Sequence, residues 1–269
     1  MLQTGCQGQG RMYSFQSFHS GDVEIAYIDS GPLTGVDGQT ILLIHGFASN
    51  LAVNWVGTGW VDTLVQNGFR VIAIDNRGHG KSEKLYDKVL YGAPIMAEDA
   101  RLLLDHLKIG RADVMGYSMG ARITAFLALG YPDRVRSVIF GGLGIGMVKG
   151  VGAPEPIAEA LEADDPSIIS DTQARMFRKF AEATGSDRLA LAACMRSSRI
   201  KIRPEALANL RLPVLVCVGS QDEIAGPPQE LADIIPGAEA FEIAGRDHNR
   251  AVGDKTYKQA VLDFLARRP

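Results

Sequence analysis

Gly116-Tyr117-Ser118-Met119-Gly120 reads G-x-S-x-G and joins a short apolar run to a helix-forming one. The run before it ends in Asp113-Val114-Met115, and residues 121–129 after it are rich in Ala and Leu. A strand that turns sharply into a helix on a serine holds the hydroxyl clear of the sheet edge. Glycine on both sides removes the Cβ atoms that would clash in such a turn. The amides after the serine stand at a helix N-terminus, which favours a developing anion. The pentapeptide by itself also fits an ordinary Gly-Ser turn in a chain with 30 glycines, so its reading depends on partners elsewhere.

Outward from this turn, short apolar runs alternate with longer helical ones. Strands are expected at 13–18, 23–29, 40–45, 70–75, 112–116, 135–140, 213–218 and 240–243. The later ones are β-branched and apolar throughout, as strands buried on both faces of a parallel sheet are. The first two alternate more, which suits an antiparallel edge. Helices are expected at 60–66, 95–108, 119–129, 228–234 and 255–267, the second with Ile95, Leu102, Leu103 and Leu107 on its apolar face. Alternating strands and helices define an α/β class with a doubly wound sheet.

One stretch breaks the alternation. It opens with Gly141-Gly142-Leu143-Gly144-Ile145-Gly146 and continues in helical pieces at 172–183 and 187–195. The domain reading is a core at 12–141 and 211–269 and a small helical cap or lid at 142–210, inserted after the sixth strand. The Gly/Gln-rich residues 1–11 read as a disordered tail, with Met12 as a candidate start.

Composition narrows the partners. The 269 residues are 46% hydrophobic and 22% charged, with a net charge of −3, as in a soluble globular protein. No broad basic excess points to nucleic acid or an anionic membrane. No apolar run approaches the roughly 20 residues of a membrane helix, and the N-terminus lacks a secretory pattern. Cys6, Cys194 and Cys217 are widely spaced, with no metal-ligand or C-x-x-C pattern. A cytoplasmic protein with no metal and no cofactor is expected, and Cys217 reads as a buried small hydrophobe.

A serine hydroxyl needs a base to take its proton and a carboxylate to hold that base in the right tautomer. The chain supplies both in the order Ser, Asp, His. Asp222 follows the strand expected at 213–218, and His248 follows the strand expected at 240–243. Each lies just past the C-terminal end of a strand, the edge where α/β sheets place their sites. Asp247 adjoins His248, but sequence neighbours point apart, so Asp222 is the expected partner.

With these residues in place the chain resembles the α/β-hydrolase family, from about Tyr13 to Ala266, as a serine-nucleophile, esterase-like member with a helical lid. His45-Gly46-Phe47 resembles the family's oxyanion loop. Asp75-Asn76-Arg77-Gly78-His79-Gly80-Lys81-Ser82 resembles its D-x-R-G-x-G-x-S segment. The resemblance implies the α/β-hydrolase fold, a mostly parallel eight-stranded sheet flanked by helices. It implies Ser118 as nucleophile, His248 as base, Asp222 as orienting acid, and the backbone N–H groups of Phe47 and Met119 as the oxyanion hole. It makes His45 a structural support of the oxyanion loop, and His79, in a turn rich in Gly, also reads as structural. The order of residues before Gly80-Lys81-Ser82 does not complete a phosphate-binding loop, because Asp75 stands where that loop needs glycine.

A serine at the elbow suits acyl transfer to water. A small to medium, largely uncharged carboxylic ester is the expected substrate. Lactonase, thioesterase and carbon–carbon hydrolase chemistry, or a slow-turnover ligand receptor, are the alternatives. The substrate pocket is expected between the cap and the strand ends. Asn50, Asn54, Trp55 and Trp60 are its candidates after the oxyanion loop, and Leu143, Ile145 and Met147 at the cap entry.

Overall fold

The computed structural model describes residues 5–7, 12–31 and 39–268. β1 (Gly5–Gln7) and β2 (Met12–Ser14) form an antiparallel ribbon. Gly5–Gln7 belongs to the stretch expected as a tail; residues 1–4 and 8–11 lie outside the described residues. The main sheet holds β3 (Gln16–Ser20), β4 (Val23–Ser30), β5 (Thr40–Ile44), β6 (Arg70–Ile74), β7 (Ala112–Tyr117), β8 (Val135–Gly141), β9 (Val214–Gly219) and β10 (Glu239–Ile243). Their spatial order is β10-β9-β8-β7-β5-β6-β4-β3. β4 runs antiparallel to both β3 and β6, and the remaining pairs are parallel. The eight strands and the antiparallel edge match the sequence pattern. The first expected strand divides at Phe15, because β2 pairs with β1 while β3 pairs with β4.

Helices cover both faces. They are α1 (Trp60–Gln66), α2 (Ala93–His106), α3 (Met119–Gly130), α4 (Gly146–Lys149), α5 (Glu155–Glu162), α6 (Thr172–Ala183), α7 (Arg188–Ser198), α8 (Pro204–Leu207), α9 (Pro228–Ala232), α10 (His248–Ala251) and α11 (Lys255–Arg267). Helices α4 to α8 lie between β8 and β9 in the chain. Side chains that alternate along β5 enter two separate cores. Leu42 and Ile44 join the core that includes α2 and α3. Ile41 and Leu43 join the core of Trp55, Trp60 and Tyr257. Burying each such side chain contributes roughly 1.5–3 kcal/mol.

The buried face of α2 differs from the expected one at Ile95, while Leu103 is buried and Leu102 and Leu107 pack against the core. Met96, Ala97, Ala100, Leu103 and Leu104 are buried, whereas Ile95 is 36% exposed. The small side chains of Ala97 and Ala100 let α2 pack closely on α3, and this face leaves Ile95 outside. A count of large apolar residues overlooks a seam built from alanine.

Two glycines fix how α3 leaves β7. A Cβ on Gly120 would lie 2.0 Å from the Ile44 carbonyl oxygen, and one on Gly116 would lie 2.1 Å from the Gly120 carbonyl oxygen. Gly130, at the far end of α3, has open space around the same position. Gly120→Ala is therefore expected to destabilise by at least about 1–3 kcal/mol through overpacking. Gly130→Ala is expected to stabilise by up to about 1 kcal/mol through helix propensity. Urea midpoints of the two variants check this, and equal shifts would contradict it.

Candidate active site

Ser118 stands between β7 and α3 with φ 55° and ψ −113°, a positive-φ backbone rarely adopted by a residue with a Cβ. Its amide donates to the Gly141 carbonyl at 2.7 Å, which pins the turn to the end of β8. Gly46 lies close by: a Cβ there would be 3.4 Å from the Ser118 Cβ.

Asp222 follows β9, and His248 opens α10 after β10. His248 Nε2 is 3.0 Å from Ser118 Oγ. His248 Nδ1 is 2.7 Å from Asp222 Oδ2. With Nδ1–H donating to the carboxylate, Nε2 is left as the acceptor for the serine proton. Asp222 has its side chain fully buried and its other oxygen accepts the amides of Ile224 and Ala225 at 2.9 and 3.0 Å. Both oxygens are thus committed, and the imidazole is held in one plane. Asp247 instead caps α10, accepting the amides of Asn249 and Arg250 at 3.0 and 2.8 Å. Tyr117 Oη donates to the His248 carbonyl at 2.5 Å, a brace that sequence reasoning missed.

The loop after β5 is shaped by buried polar groups. His45 Nδ1–H donates to the Gly46 carbonyl at 2.7 Å, and His45 Nε2 accepts the Asn76 amide at 3.0 Å. That pattern requires neutral imidazole, and burial, aided by neighbouring His79, pushes its pKa well below the usual histidine range. Asp75 accepts the amides of Leu51 and Lys81 at 2.7 and 2.8 Å, so it ties the loop's far end to the segment after β6. Asn54 Oδ1 accepts the Gly46 amide at 3.1 Å. Among the described residues no acceptor takes the amide N–H of Phe47 or of Met119. Both stand beside Ser118 as free donors, in the chain positions expected for an oxyanion hole.

Two cavities meet at Ser118, and Phe47 and Phe177 line both. The larger holds about 200 Å³; Asn54, Thr58, His248 and Val252 line it from the core, and Met176, Phe177 and Phe180 line it from α6. The smaller holds about 40 Å³ and reaches Met119, Leu143 and Arg122. Of the expected pocket residues, Asn54 and Leu143 are therefore at the site, and five others are not. Trp55 and Trp60 are fully buried on the opposite side of the loop. Trp60 packs edge-on to Tyr257 at 5.0 Å and donates to the Val252 carbonyl at 2.6 Å. Asn50 turns back on its own loop, accepting the Val53 amide at 2.9 Å. Ile145, which caps α4, and Met147 within it are buried, with the Met147 carbonyl bonded to Arg122 and Ile202. The aromatic face of α6 is the lining that sequence reasoning missed; Met176, Phe177 and Phe180 at helical spacing were its signal.

The chain is similar to known proteins. Residues 39–146 match the family model described as alpha/beta hydrolase fold. A 2-hydroxy-6-oxononadienedioate/2-hydroxy-6-oxononatrienedioate hydrolase of Paraburkholderia phymatum is 34% identical over 268 residues, covering 87% of this chain and 89% of the relative. A serine hydrolase-like protein of Danio rerio is 33% identical over 105 residues; that match spans 38% of this chain and only 30% of the relative's length. The crystal structure of a hydrolase from Pseudomonas aeruginosa superposes with a TM-score of 0.77 at 24% identity, covering 93% of this chain and 98% of the other. The chain belongs to the alpha/beta hydrolase family.

The buried histidines set an acid limit. Burial lowers the pKa of His79 to about 4, so the folded state holds it neutral while the unfolded chain protonates near 6.5. Its folded value is depressed, so its contribution is present above pH 6.5 and is lost as pH falls towards 4. Asp75 has the opposite sign, because burial raises its pKa to about 6. Comparing wild type with His79→Gln cancels that opposing contribution. The variant is expected to lose less stability than wild type between pH 6.5 and 4.5, by about 2–3 kcal/mol. Denaturant midpoints across that range check the difference, and parallel curves would contradict it.

Proposed function

We propose that the protein is a serine hydrolase that cleaves a small to medium carboxylic ester through an acyl-enzyme. The observation that carries this reading is the continuous line from Asp222 Oδ2 to His248 at 2.7 Å and from His248 to Ser118 Oγ at 3.0 Å. Ser118 Oγ attacks the ester carbonyl carbon while its proton moves to His248 Nε2. The carbonyl oxygen, now negative, sits on the amides of Phe47 and Met119. The carbon–oxygen bond to the alcohol breaks, and His248 returns the proton to the leaving oxygen. Water then repeats the sequence on the acyl-serine: His248 takes its proton, the acid leaves, and Ser118 regains its hydrogen. Water is the sole co-reactant in this sequence. Residues 142–210 act as the lid in this reading. Support comes from Thr184 Oγ1, which donates to the Ala48 carbonyl at 2.9 Å and fastens the end of α6 to the oxyanion loop.

A second reading is hydrolysis of a carbon–carbon bond in a dienedioate. It rests on the 34% identity to the Paraburkholderia relative whose name states such a substrate. The same serine would serve both reactions, so the substrate has to decide between them.

Purified wild type and Ser118→Ala are to be compared on p-nitrophenyl esters of rising chain length. Ser118→Ala is expected to reduce kcat by about 10⁴-fold or more, and His248→Ala by a comparable factor, because the three groups act as a unit. Turnover that survives in Ser118→Ala would remove the assignment.

A further inference from the structure

The smaller cavity beside Ser118 carries two arginines. Arg122 lies one helical turn after Ser118 on α3, and Arg199 follows α7; both line the cavity with Ser118 and Met119. Arg122 is 2% exposed. Among the described residues neither guanidinium forms an ion pair with a carboxylate. Their bonds run to backbone carbonyls instead. Arg122 donates to Met147 at 3.0 Å, Ile200 at 2.7 Å and Gly146 at 3.3 Å. Arg199 donates to Val151 at 3.1 Å and Ala153 at 3.0 Å.

A guanidinium has five N–H donors. Three bonds on Arg122 and two on Arg199 leave donors on each to spare. Burial, reinforced by the charge of Arg199, lowers the pKa of Arg122 to about 10. Two like charges in a low-dielectric corner are unfavourable, and a bound anion relieves both desolvation and repulsion. The cavity of about 40 Å³ is about three times the roughly 10–15 Å³ that one water needs, space on the scale of the three heavy atoms of a carboxylate.

Chemistry also orients the substrate. His248 must protonate the leaving oxygen, so the leaving alcohol lies on the side His248 lines. That side is the larger cavity, and His248 does not line the smaller one. The smaller cavity is left for the acyl substituent. Resting on the serine-hydrolase reading, we propose that Arg122 and Arg199 form a carboxylate subsite, and that the protein prefers esters whose short acyl chain ends in a carboxylate. The larger cavity then takes an uncharged, apolar alcohol. This narrows the expectation of a largely uncharged ester to its alcohol half.

The test compares two esters of one alcohol: monobenzyl succinate, and benzyl 4-methylpentanoate, which replaces the two carboxylate oxygens with methyl groups. Wild type is expected to favour the succinate in kcat/KM by about tenfold or more, the scale of a charged hydrogen bond. Arg199→Gln is expected to shrink that ratio, and Arg199→Lys to restore part of it. Equal kcat/KM for the two esters, or a ratio that Arg199→Gln leaves intact, would overturn the subsite while leaving the hydrolase reading in place. Calorimetric binding of both esters to Ser118→Ala decides the subsite without turnover. Tighter binding of the succinate supports it even where wild type cleaves neither ester, a result that would count against the ester reading alone. Equal affinities overturn it.

Discussion

The close approach of α3 to β5 is the constraint on which the site depends. The Gly120 backbone passes so near the Ile44 carbonyl that no side chain fits between them. Two residues before this contact Ser118 has positive φ, a backbone state costing on the order of 1–3 kcal/mol. The bond from the Ser118 amide to Gly141 and the packing of two cores hold the strained turn in place. The consequence is a hydroxyl raised above the sheet edge, next to Gly46 and within reach of His248.

Around that turn the polar groups are arranged to leave particular atoms free. His45, Asn54 and Asp75 take up the Gly46 carbonyl, the Gly46 amide and the Leu51 amide. The amides of Phe47 and Met119 stay without a protein acceptor among the described residues. Farther out, Arg77 grips Asp99 through two bonds at 2.6 and 2.7 Å, fixing the D-x-R-G-x-G-x-S segment to α2. That segment in turn fixes His45 through Asn76. A polar network under the loop thus gives a rigid floor, while the walls of the larger cavity come from the aromatic face of α6.

The strands and the three catalytic candidates were legible in the sequence because their signals are local. Val214, Leu215 and Val216 in β9 are buried on both faces, and such strands show as unbroken apolar runs. Ser118, Asp222 and His248 each follow a strand end, so topology alone gathers them. The pocket walls were less legible because they depend on long-range packing. Trp60 follows the oxyanion loop, yet Tyr257 of α11 and the Val252 carbonyl draw it into the far core. Nothing local distinguishes a tryptophan that faces a substrate from one that faces another helix. No local motif marks Arg122 and Arg199; only the fold places both on one cavity, without a carboxylate partner among the described residues.

The most direct measurement of the central claim is mass-spectrometric peptide mapping after reaction with a fluorophosphonate, which modifies a serine only where a base and an oxyanion hole activate it. The account predicts one adduct per chain, on the peptide that contains Ser118. An adduct on another residue such as Ser49, which also lines the larger cavity, or no adduct at all, would contradict it.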